Sequence, residues 1–151
     1  MPIHLLVIFI PPLVGIITQI TKFLIFVSKH GWRWNYLLAH GHFPSAHSAF
    51  AISMLIITAQ VEGVESGAFV VAFALAFIII DDALRLRMYL SKQSRYLNQL
   101  VRDLSRRKLI SPAKYPILKE RIGHYRHEVL AGLIYGAGLT YLLLKLFSVL
   151  N

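Results

Sequence analysis

GAFVVAFALAFIIIDDAL, residues Gly67–Leu84, carries no charge until Asp81 and Asp82. A helical membrane span needs about 20 mostly apolar residues, within a range of about 17–25, and this stretch meets that requirement. Outward from it, three more segments are comparably apolar, at 3–28, 44–60 and 127–150. The first contains Pro11-Pro12, which breaks or bends a helix because proline lacks a backbone donor and clashes with the preceding turn. The second opens on Pro44 and Ser45, residue types suited to a helix start. The expected fold is all-α, a polytopic membrane helical bundle of about four spans, formed by the 151 residues as one domain. Composition agrees, since 56% of residues are hydrophobic and the mean hydropathy is +0.60, against about 45–50% apolar in ordinary soluble chains. No cysteine is present, so disulfides and thiolate metal sites are excluded. The N-terminus lacks a basic leader and a small-residue cleavage site, and no removable signal peptide is expected.

Beyond Leu84, residues Leu86, Leu90, Leu97, Leu100 and Leu104 recur at helical spacing among Arg87, Lys92, Arg95 and Arg102. That pattern predicts an amphipathic helix lying along the membrane surface or projecting from it. Arg106-Arg107-Lys108, Pro112 and Pro116 then mark a loop before the last span. Twelve of the 16 Lys and Arg fall between Arg85 and Arg126, while the short Gln60–Ser66 connection carries only Glu62 and Glu65. The positive-inside rule places both basic loops in the cytoplasm and both termini outside, as for a multi-pass protein of a bacterial inner membrane. The net charge of +9 is confined to these loops, which suits phospholipid head groups or a phosphorylated substrate and argues against nucleic acid. This topology gathers Lys22, Lys29, His47, Asp81, Asp82, Arg121, His124 and Glu128 at one face.

Two histidines in that set carry chemistry. Pro44-Ser45-Ala46-His47 places a hydroxyl, a small residue and an imidazole in the first turn of a helix, where free N–H groups and the dipole favour an anion. Its plain alternative is a Pro-Ser cap beside an interfacial histidine. His124 and Glu128 are spaced i, i+4, so on a helix the carboxylate would orient the imidazole and leave its other nitrogen as a nucleophile. Arg121, one turn before His124 on such a helix, would join the same face and bind phosphate oxygens, with Lys119 close by, and the alternative is a surface ion cluster. Asp81 and Asp82 either hold a magnesium ion or form structural salt bridges to Arg85 and Arg87, and the salt bridge is favoured. His4, His30, His40, His42 and His127 read as interfacial, with His42 near enough in sequence to His47 to line the site. Gly132 and Gly136 form a small-xxx-small pattern that permits close packing within the bundle, with a homodimer contact as the alternative.

Together these residues resemble the type 2 phosphatidic acid phosphatase and vanadium haloperoxidase superfamily, in particular its divergent, small bacterial and plastid branch. The resemblance runs from about Pro11 to Leu146. The branch's Pro-Ser-Ser-His-Ser-Ala is similar to Pro44-Ser45-Ala46-His47-Ser48-Ala49, and a histidine with an acid four residues on is similar to His124 and Glu128. Lys22 matches the first motif, although Lys29-His30 stands where Arg-Pro is usual. Asp82-Ala83, Lys92-Gln93 and Asn98 resemble another stretch of the branch. Leu118 occupies the place of an arginine, Arg85 that of a glycine and Met88 that of an arginine. The resemblance implies a membrane-embedded phosphatase acting on a lipid phosphate or isoprenoid diphosphate. His124 would be the nucleophile, Glu128 its orienter and His47 the general acid, while Lys22, Lys29, Ser45, Lys119 and Arg121 would hold the phosphoryl oxygens. It implies no cofactor and inhibition by vanadate; magnesium at Asp81 and Asp82 belongs to a rival phosphotransferase reading. A non-catalytic protein binding anionic lipid on the same scaffold is the alternative function.

Overall fold

The structure is a computed structural model and describes residues 8–32, 34 and 43–149. Its elements in chain order are α1 (Ile10–His30), α2 (Ala46–Glu62), α3 (Gly67–Asp81), a π-helical turn (Asp82–Leu86), α4 (Arg87–Arg106), a 3-10 turn (Pro112–Lys114) and α5 (Arg126–Val149). Among the described residues there is no strand, as expected of an all-α bundle.

Helix starts follow local chemistry. Phe9 is a turn residue, and Pro11 and Pro12 occupy the first turn of α1, where the missing N–H groups have no helical acceptor to lose. The prolines thus begin the described helix and leave the rest of it unbroken. Ser45 caps α2 by accepting from the Ser48 N–H, and Ser66 caps α3 by accepting from the Phe69 N–H. Between Ala68 and Arg106 the sequence offers neither glycine nor proline, so α3, the π turn and α4 form one 40-residue helical run. At 1.5 Å per residue that run is roughly 60 Å long, about twice the hydrocarbon thickness, so α4 extends beyond the span. Of the two placements expected for the amphipathic helix, continuity with α3 supports projection.

α1, α2 and α5 pack on one another, and α3 packs on α2. One end of the bundle is an apolar core of Ile10, Val14, Ala49 and Ile57, covered by Leu139, Leu143, Leu144 and Phe147. Further along, the Thr21 and Tyr135 hydroxyls are 2.9 Å apart, tying α1 to α5. The opposite end is polar, with Lys22, Ser45 and Glu128 buried there. The interior is otherwise small or hydroxylated: Ser48, Ser53, Ala51, Thr18 and Thr140 are buried, while Val70, Phe73, Phe77, Ile78, Leu130, Ile134 and Leu142 face outward. Small residues inside and large apolar residues outside is the arrangement of helices packed in lipid, where close contact replaces the hydrophobic effect as the source of association. The chain is a membrane protein. The helices Ile10–His30, Gly67–Arg106 and Arg126–Phe147 are long and apolar enough to cross a bilayer, and α2, at 17 residues, is shorter.

α2 and α5 approach backbone to backbone. A Cβ on Gly132 would lie 2.4 Å from the Ser45 carbonyl oxygen, and one on Gly136 would lie 2.5 Å from the Ala49 Cα. The small-xxx-small pattern therefore serves packing within the bundle. Gly136→Ala should destabilise the protein by about 1–3 kcal/mol, because the obstructing atoms are backbone and must move apart. A Cβ on Gly138 meets nothing within 4 Å, and Gly138→Ala should stabilise by up to about 1 kcal/mol through helix propensity. Thermal unfolding of the two variants in the same detergent compares the signs.

Candidate active site

The α2–α5 contact brings the two sequence motifs together. The Ser45 N–H donates to the Glu128 carbonyl oxygen at 3.1 Å, across a chain separation that hydropathy alone could only suggest was closed. The first turn of α2 carries His47, and its ring centroid lies 5.9 Å from that of His124 in an edge-to-face arrangement. His124 is 1% exposed, Glu128 2% and Lys22 4%, so three ionisable side chains are buried at this end of the bundle. Lys22 interacts electrostatically with Glu128, which offsets part of the cost of burying both. Ser45 is fully buried, and its Oγ accepts from both the N–H and the Oγ of Ser48, at 3.3 and 2.9 Å. Its own hydroxyl hydrogen is left for a further acceptor.

Glu128 does not share a helical face with His124, because α5 begins at Arg126 and His124 precedes it. The Glu128 carboxylate instead accepts from the Tyr125 N–H at 2.9 Å, the acidic half of a capping box, and from the Arg121 guanidinium at 2.8 Å. Arg121 likewise does not lie one helical turn from His124. The stretch 115–125 contains no helix, and the chain turns Arg121 back so that its guanidinium reaches Glu128 and lies 5.6 Å from the Tyr125 ring centroid.

The irregular segment is held by α4. Asn98 donates to the Leu118 carbonyl and to Glu120 Oε1, both at 2.9 Å, and accepts from the Leu118 N–H at 3.0 Å. Ser91 Oγ accepts from the N–H groups of Ile122 and Gly123 at 3.0 and 3.2 Å. The His124 N–H donates to the Ala83 carbonyl at 3.1 Å, inside the π turn, a feature that recurs at functional sites. Gly123 is required for this docking, since a Cβ there would lie 2.8 Å from the Met88 N. Side chains and a π-turn carbonyl thus replace the helical ladder as partners for the segment that delivers His124. Sequence reading noted Asn98 only through resemblance and passed over Ser91. The available signal was their i, i+7 spacing on the face of α4 opposite the leucines.

The other expected site residues are more peripheral. Lys29, two turns beyond Lys22, is exposed in the last turn of α1, where a cation suits the helix dipole. Lys119 is exposed on the irregular segment. Asp81 accepts from Arg85 Nε at 2.6 Å and Nη2 at 3.1 Å, and Asp82 accepts from Arg87 Nε at 2.6 Å, which is the salt-bridge reading of this pair. Among the described residues, no group of three or more metal-ligating side chains gathers. His30 stacks on Phe26 and His127 on Tyr125, while His4, His40 and His42 lie outside the described residues. His124 forms the inner wall of a cleft of about 690 Å³, whose other walls include Leu84, Met88, Tyr89, Lys92, Tyr125 and Arg126.

A sequence profile described as the divergent PAP2 family matches residues 4–139. The chain belongs to the divergent PAP2 family. No curated protein and no solved structure gave a significant match. Membership covers every residue of the site, from Lys22 to Glu128.

If α4 holds the site segment, Asn98→Ala should release it without unfolding the bundle. The Leu118 amide loses its acceptor, and hydrogen exchange there should accelerate by about tenfold or more, the equivalent of about 1.4 kcal/mol, within the usual cost of a lost buried hydrogen bond. Amides in the middle of α2 and α5 should keep their protection. Equal loss in all helices would mean that Asn98 supports the whole fold.

Proposed function

We propose that this membrane protein is a phosphatase that removes a terminal phosphate from a lipid phosphate or isoprenoid diphosphate through a phosphohistidine intermediate. The observation that carries the reading is the 5.9 Å separation of the His47 and His124 rings at the polar end of an otherwise apolar bundle. One phosphoryl group can be reached by both imidazoles at that separation. Membership of the divergent PAP2 family supports phosphatase chemistry in general.

In this reading a His124 ring nitrogen attacks phosphorus, the bond from phosphorus to the leaving oxygen breaks, and His47 gives that oxygen a proton. Water then attacks the phosphohistidine, His47 takes the water's proton, and phosphate leaves with His124 restored. Lys22, the Ser45 hydroxyl and Arg121 stabilise the charge spread over the phosphoryl oxygens, while Lys29 and Lys119 contribute longer-range attraction at the rim. Glu128 holds Arg121 and the first turn of α5 beside His124. No metal is needed, since the cations and the imidazoles supply the charge and the proton. The distribution of Lys and Arg supports a site facing the cytoplasm.

Purified protein assayed with EDTA on a panel of lipid phosphates and diphosphates should release phosphate and be inhibited by vanadate. His47→Ala and His124→Ala should each lower the rate by at least about 10²–10⁴-fold. Equal release by wild type and both variants would rule the mechanism out, and activity lost with EDTA and restored by magnesium would favour a metal-dependent transfer.

A further inference from the structure

The cleft beside His124 is too large and too positive for the reacting phosphoryl group alone. Its volume is about 690 Å³, in the range of pockets that enclose a whole ligand rather than one tetrahedral anion. Asp81 and Arg85 on its wall neutralise each other. Among the described residues no carboxylate pairs with Lys92 or Arg126, which line the same cleft. Lys92 Nζ sits 5.8 Å from the Tyr89 ring centroid, a contact that leaves its positive charge unneutralised, and His127 stacks on Tyr125 beside Arg126. The helix dipole does not favour Arg126 where it stands, because a cation in the first turn of α5 faces the positive end of that dipole. These cations belong to a different set from those around Glu128: Lys22 and Arg121 both interact with the buried carboxylate, whereas Lys92 and Arg126 border the open side of His124.

We infer that Lys92 and Arg126 form a subsite for a second phosphoryl group, next to the one that His124 attacks, so that the substrate class is a lipid diphosphate. The inference rests on the phosphatase reading of the same site. A diphosphate places its inner phosphorus one bridging oxygen from the terminal one, so the terminal group meets His124 while the inner group lies in the adjacent cleft. Lys92 and Arg126 would then also stabilise the negative charge left on the inner phosphate when the bridging oxygen departs, with His47 supplying its proton. Leu84, Met88 and Tyr89 provide apolar wall for the first carbons of the chain.

The test compares polyprenyl diphosphate with polyprenyl monophosphate of the same chain length, using the full-length protein in detergent micelles. The ratio of kcat/KM for diphosphate over monophosphate should exceed one in wild type. In Lys92→Gln/Arg126→Gln it should fall by about tenfold or more, the order expected for two charge-assisted contacts. Lys92→Arg/Arg126→Lys, which keeps both charges, should retain most of the ratio. An unchanged ratio in the glutamine variant overturns the subsite. Binding gives a readout independent of turnover: His124→Ala protein titrated with methylenediphosphonate should bind it about tenfold more tightly than inorganic phosphate, and adding the two glutamine substitutions should remove that difference. Equal affinities for the two anions before those substitutions would refute the subsite even if hydrolysis were absent. Failure of the phosphatase reading is recognised separately, by a His124→Ala variant that hydrolyses as fast as wild type. A diphosphate preference shared by the prenyl substrates and methylenediphosphonate, and lost from both in the glutamine variant, assigns the selectivity to the phosphoryl pair.

Discussion

Backbone touching backbone between α2 and α5 is the constraint on which the rest of the molecule depends. Where Gly132 and Gly136 leave no side chain, Ser45 and Ala49 press in, and the Ser45 N–H reaches the Glu128 carbonyl. No long side chain intervenes to let the two helices slide, so the start of one is fixed relative to the start of the other. His47 is carried by the first and His124 immediately precedes the second. A lipid-facing exterior gives no hydrophobic drive toward this arrangement, which leaves steric fit and half-buried hydroxyl pairs such as Thr21 with Tyr135 to hold it.

A second support comes from outside the bundle. The chain between the 3-10 turn and α5 has no regular structure, yet it has a fixed course because α4 and the π turn before it supply its hydrogen bonds one after another: Asn98 for Leu118, Ser91 for Ile122 and Gly123, and Ala83 for His124. His124 is therefore held between two frames, the α2–α5 contact from within and the face of the π turn and α4 from without. Glu128 joins them, since it caps α5 and anchors the Arg121 of the segment that α4 holds.

Hydropathy and caps made the helices legible in advance. The start of α2 at Ser45, the apolar run of α3 and the close packing at Gly132 and Gly136 all follow from local residue chemistry. The meeting of His47 with His124 was also accessible, because an out-and-back pair of spans must return both ends to one side. The conformation between Tyr115 and Tyr125 was not. Spacing suggested helical faces for Arg121, His124 and Glu128, but helix periodicity assumes that a segment bonds to itself. Here the N–H groups find partners on another helix, some twenty or thirty residues earlier, and no local pattern in 115–125 encodes that. The π turn was hidden for a similar reason. Nothing in Asp82-Ala83-Leu84-Arg85-Leu86 forbids an ordinary α-turn, and the carbonyl of Ala83 finds use only once His124 arrives.

That turn also sets the phase of everything after it. An α-helix advances about 100° per residue, so a local widening that absorbs part of a residue rotates the remainder of the rod about its axis. The rotation decides which stripe of α4 confronts the returning chain. With the turn in place, the serine and asparagine point inward to it and Leu86, Leu90, Leu97 and Leu100 stay outside. Excising a single residue while the turn persists would swing the hydroxyl and amide about 100° away and put Lys92, which cannot accept a hydrogen bond, and Gln99 in their places before the returning peptide. A one-residue deletion in that turn would thereby remove the acceptors that hold the segment carrying His124.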